Sequence, residues 1–149
     1  MPGNPYSVHP GILKMGRGEK GTFLESPEAY LKAAPGLMEA MFAGKESLRP
    51  IYDALLRICL AVGKDVTASP GKTIVPIYRN HVIAQIKPST KTRIDLGLAL
   101  GNMKTPKRLI DTGGLQKKDR ITRRIEVTEA LDLDADLKRW LKTAYDLDA

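Results

Sequence analysis

The sequence predicts an α+β fold: a four-stranded, mainly antiparallel sheet packed on one face by an N-terminal and a C-terminal helix. Three observations carry this prediction. Ile51, Leu55, Ile58 and Val62 recur at helical spacing behind Pro50, while residues 73–100 switch to β-branched segments separated by turn residues. Leu137, Trp140, Leu141, Ala144 and Tyr145 then form a second helical stripe. Helical and alternating periods each define one apolar face, and those faces must bury one another.

Residues 1–22 hold five glycines and three prolines without either period, and read as an extended or mobile arm. Ser26 and Pro27 form a cap and first-turn pair for a helical piece over 28–33, and Pro35-Gly36 interrupts before a second piece over 37–42. The domain division that follows is an arm with a short helical piece, residues 1–36, and one α+β domain, residues 37–149. Pro50 opens an amphipathic helix reaching about Val62, with Gly63 as its stop. Cys59 lies on its apolar side and reads as a small core hydrophobe.

Strands are predicted over 73–79, 82–87 and 93–100, joined at Asn80-His81 and at Pro88-Ser89-Thr90, which makes a three-stranded antiparallel meander. Ile94, Leu96, Leu98 and Leu100 alternate with Arg93, Asp95, Gly97 and Ala99, the pattern of a sheet with one covered face. Pro76 has no N–H for a ladder and pushes the first strand toward an edge or a bulge. Thr105-Pro106 reads as the start of a short helix through Ile110, residues 116–120 as a charged loop, and Ile121–Val127 as the fourth strand. Asp134 caps the final helix, with Asp132 and Asp136 beside its N-terminus where the helix dipole favours acids.

The 149 residues suffice for one core. One cysteine cannot pair within the chain, which fits a reducing cytoplasm, and no segment approaches the roughly 20 apolar residues of a membrane span. Charge is unevenly spread. Residues 72–127 carry thirteen Lys or Arg against four acids, a net +9 that exceeds the +7 of the whole chain. Such separation draws anions or an acidic partner through the summed field.

Motifs of known chemistry do not survive their structural requirements. Gly16-Arg17-Gly18-Glu19-Lys20-Gly21 has the glycine spacing of a dinucleotide fingerprint but lacks the preceding strand and following helix, so it reads as a plain loop. Gly71-Lys72-Thr73 lacks the first glycine of a phosphate-binding loop, since position 66 is Val66. Asp132, Asp134 and Asp136 open like a calcium loop, yet Leu137 and Thr143 occupy the positions of its glycine and closing acid. His9, His81 and Cys59 have no partners at an arguable spacing, so no metal site and no cofactor are expected, while carboxylate pairs across strands leave an enzyme as the third reading.

The runs Gly44–Leu55, Lys72–Val75, Lys87–Leu98 and Trp140–Tyr145 resemble the bacterial family catalogued as domain of unknown function 5655, over about residues 38–147. In that family the domain often follows domain of unknown function 4287. Only about 40 residues precede it here, so the resemblance implies a stand-alone or truncated version. It also implies a small cytoplasmic α+β domain, and no activity comes with it.

The function expected from the residues is a non-enzymatic binding module. Arg79, Lys87, Lys91, Arg93 and Arg124, at strand ends and on the exposed sheet face, would bind an anionic ligand or nucleic acid. Aromatics for base stacking are scarce, Tyr78 being the only one in the meander. The alternative is a protein-interaction or homo-oligomerisation module that uses the N-terminal arm. Neither reading involves a membrane.

Overall fold

The computed structural model describes residues 5–7, 27–104 and 106–149. Its helices are α1 (Pro27–Met41), α2 (Arg49–Leu60) and α3 (Ala135–Leu147). The strands are β1 (Thr67–Ala68), β2 (Val75–Tyr78), β3 (Val82–Pro88), β4 (Ile94–Leu98), β5 (Ile110–Asp111) and β6 (Arg123–Val127). They form one sheet in the order β1-β2-β3-β4-β6-β5, antiparallel at every pairing.

The α+β class and the meander of β2, β3 and β4 stand as expected, and the strand count is six instead of four. The two additions, β1 and β5, are two-residue pieces at the opposite edges of the sheet. Neither is long enough to show an alternating pattern in sequence. The short helix expected after Thr105 does not form. Leu109 N bonds to Pro106 O in one turn, and Ile110 then pairs with Arg124 on β6. Five residues do not recover the cost of nucleating a helix, whereas an exposed strand edge offers hydrogen bonds at once. The cap itself, Thr105, lies outside the described residues.

Pro76 sits in a strand paired on both sides, so the expected edge position is replaced by a subtler solution. Its carbonyl accepts from Ser69 N at 3.2 Å, so its missing N–H points to the same side, just past the end of two-residue β1. The expected irregularity is present one step on, where the register shifts between Ile77 and Tyr78.

The core lies between the sheet and the helices. Val75, Ile77, Ala84, Ile86, Ile94, Leu96, Leu98, Ile125 and Val127 from the strands meet Tyr52, Leu55 and Cys59 of α2 and Leu137, Leu141 and Ala144 of α3, and all these side chains are buried. Pro50 occupies the first turn of α2 and Asp134 caps α3, accepting from Leu137 N at 3.1 Å. The two helical pieces expected on either side of Pro35 are one helix, α1, that carries Pro35 inside it. Its Ala34, Met38 and Met41 join the core, and that burial outweighs the hydrogen bond proline removes.

Gly63 does not stop α2, which ends at Leu60. A side chain at Gly63 would overlap the Tyr145 ring, so this glycine serves the packing of α3. Of the expected arm, residues 5–7 are described: Ser7 N bonds to Ala68 O at 3.1 Å, and the buried Tyr6 hydroxyl lies 2.6 Å from that of Tyr52. The remainder of residues 1–22, with its glycine-spaced loop and His9, and the expected cap Ser26 lie outside the described residues.

Candidate anion-binding face

Register decides which charged side chains can meet. Lys87 on β3, Asp95 on β4 and Glu126 on β6 form one row across the sheet, and Gln85, Gly97 and Arg124 form the next. Alternate positions on each strand go into the core, so both rows lie on the face away from α2 and α3. Lys87 and Glu126 are exposed. The second row is partly roofed, because Gly97 leaves room for the Ile121 and Gln85 side chains: a Cβ there would stand 2.7 Å from Ile121 Cγ2 and 3.0 Å from Gln85 Cγ.

Asp95 is the hub of the face. Only 14 % of its side chain is exposed, and it accepts from Ser89 Oγ at 2.5 Å and from Arg124 Nη1 at 3.1 Å. Arg93 Nη2 donates to it at 3.3 Å, and Arg93 Nε comes within 3.1 Å of it without hydrogen-bond alignment. Both guanidinium groups also reach Glu126, Arg124 at 2.9 Å and Arg93 at 3.5 Å. The hydrogen bond to Glu126 is the main cause that holds the Arg124 pKa above its ordinary value.

Four of the five expected residues therefore share a region, but they are not four free charges. Arg93 and Arg124 are balanced by Asp95 and Glu126, which leaves exposed Lys87 on the strand and exposed Lys91 in the turn without an ionic partner among the described residues. Two guanidinium groups and two carboxylates form one ion-paired cluster. The lysines beside it supply the field.

Arg79 does not join them. It follows β2 at the hairpin end of β3, five residues from Lys87 along that strand, a separation of roughly 17 Å. There its Nε donates to Asp65 Oδ2 at 2.9 Å, its Nη1 donates to Tyr145 O at 2.9 Å, and its guanidinium lies 4.0 Å from the centre of the Tyr145 ring. The bond to Asp65 is the main cause that raises its pKa. Arg79 fastens the end of α3 to the sheet.

Sequence reasoning missed a second polar cluster at the same corner. Asp148, buried, accepts from Asn80 N at 2.8 Å and His81 N at 2.7 Å, and His81 Nδ1 lies 2.7 Å from its other oxygen. Arg120 Nη2 stands 3.5 Å away. Nothing in the sequence links residues 80, 120 and 148, because only the packing of α3 brings them together.

Among the described residues no group of His, Cys, Asp and Glu could hold a metal ion, and no helix is long and apolar enough to cross a membrane. Residues 38–148 match the model of the family described as Domain of unknown function (DUF5655), and the chain belongs to that family. No curated protein and no solved structure matches it.

Proposed function

We propose that this domain is a non-enzymatic binding module that engages an anionic partner, nucleic acid in the first instance, through the outer face of its sheet. The observation that supports this is the row Lys87, Asp95, Glu126 beside Arg93 and Arg124, an ion-paired cluster near two exposed lysines, Lys87 and Lys91, with no ionic partner among the described residues. A preorganised surface loses little entropy on binding, and phosphates displace bound counterions from such a site at a gain that falls with salt. Arg93 and Arg124 take part by shifting some of their hydrogen bonds from Glu126 to a phosphate, which guanidinium geometry favours. Arg79 belongs to the fold.

Among the described residues this face has no exposed aromatic side chain, which argues for contact with the backbone and against base stacking. The module is cytoplasmic and bacterial in this reading, as the free, buried Cys59 and the family likeness support. An oligomerisation role for the N-terminal arm has less support, since Tyr6 is spent on Tyr52 of the same chain. The test is binding to labelled single- and double-stranded oligonucleotides at low and moderate salt. Micromolar binding that weakens steeply with salt is expected, and no binding at low salt overturns the proposal.

A further inference from the structure

On the opposite side of the molecule from this face, α2 and α3 leave a groove of about 550 Å³. Its walls are Ala54, Ile58 and Ala61 at helical spacing, Val62 just beyond, and Leu141 of α3. Two cations complete it, Arg57 from α2 and Lys138 from α3. We propose that this groove binds a linear aliphatic carboxylate, its chain along the apolar wall and its headgroup between Arg57 and Lys138.

Arg57, in the last turn of α2, suits the helix dipole, but neither it nor Lys138 is neutralised by a neighbour on its helix. Elsewhere on the same helices, cations have acids one turn away: Arg49 with Asp53, Arg139 with Asp136, Lys142 with Asp146. Arg57 and Lys138 are exposed and have no such partner among the described residues. Helix stability does not account for Lys138, which stands close to the N-terminus of α3, where the dipole disfavours a cation. The acid one turn before it, Asp134, is taken by Arg108 at 2.7 and 2.9 Å and by Leu137 N.

The groove is open to solvent, and Ala54 and Ala61 put small side chains in its wall. A second copy of the chain would need a far wider patch, about 800 Å² on each partner. An anion with an apolar tail satisfies both the unpaired cations and the wall.

The experiment is an amide-resonance titration of the full chain with sodium decanoate below its micelle concentration. Acetate serves as the head-only control and decyltrimethylammonium as the tail with the opposite charge. Saturable shifts confined to residues 54–62 and 138–141 are expected with decanoate alone. The double variant Arg57→Ala with Lys138→Ala should weaken binding about tenfold or more, the loss of charge-assisted contacts. Ala54→Leu, which keeps both charges and fills the groove, should abolish it. Equal binding of decyltrimethylammonium, shifts spread over the sheet, no saturable binding, or groove shifts that follow protein concentration without decanoate would each overturn the proposal.

Discussion

Asp148 holds the His81 ring: its Oδ1 lies 2.7 Å from His81 Nδ1, while its Oδ2 accepts the backbone N–H groups of Asn80 and His81. A carboxylate only accepts, so Nδ1 donates to it. The contact ties the end of α3 to the turn between β2 and β3, and Asn80 Nδ2 adds a bond to Asp148 O at 2.6 Å.

The latch makes stability depend on acid. Burial pushes the Asp148 carboxyl up, but the His81 backbone and ring bonds, with Arg120 and Asn80, outweigh it and leave the pKa below the ordinary 3.8. The unfolded chain then takes up this proton first. The contribution is complete above the ordinary value and is lost as pH falls through the depressed one. Asp148→Asn should cost about 1–3 kcal/mol at pH 7, and the difference from the parent should shrink below about pH 4. Urea unfolding at both pH values checks this, and a pH-independent difference would show that charge plays no part.

Gly63 lies under the Tyr145 ring, which Asp65 anchors by a 2.6 Å bond from the phenol hydroxyl and Arg79 covers from one side. Gly63→Ala should therefore destabilise the fold by about 1–3 kcal/mol, since the ring cannot swing away without breaking those contacts. With Tyr145→Leu already present, the same change should cost little. A thermal double-mutant cycle measures the coupling, and additive effects would mean the ring is not what excludes the side chain.

Cys59 is fully buried, and burial pushes its thiol pKa up to about 12. The thiolate is the reactive form, so a thiol reagent at neutral pH should label the native chain slowly, and labelling should rise together with unfolding in urea. Fast labelling of the folded chain would place Cys59 in an open pocket.

How much of this was legible in the sequence follows from range. Ile51 to Cys59 and Leu137 to Ala144 declare their buried stripes by local spacing, and Asp134 declares its cap, because each depends on neighbours within two turns. The row of Lys87 and Asp95 follows from a hairpin whose turn is visible at Pro88-Ser89-Thr90. By contrast, β1 and β5 exist only because longer strands offer them an edge. Arg79 and Lys87 are both strand-end residues, and only the β2–β3 pairing shows that they stand at opposite ends of β3. The balancing of Arg93 and Arg124 by Glu126 needed the β4 to β6 register, which joins segments some 30 residues apart and leaves no mark in composition.

Asp95 separates the scaffold from the contact. Replacing it with Asn removes the charge shared by Arg93 and Arg124, and should cost about 1.5–3 kcal/mol of stability. The same change leaves Glu126 as the one carboxylate shared by two guanidinium groups and raises the charge of the face. Nucleic-acid affinity at low salt should therefore rise several-fold while stability falls. A fall in both would show that the ion-paired arrangement itself is what the partner reads.

In the proposed binding mode Lys87 and Lys91 meet phosphates without giving up an ion pair. The most direct test is the slope of log affinity against log salt for duplex DNA, measured for the parent chain and for Lys87→Gln with Lys91→Gln. Loss of two phosphate contacts should lower the magnitude of the slope by about two with the fold intact. An unchanged slope would contradict the assignment of this face.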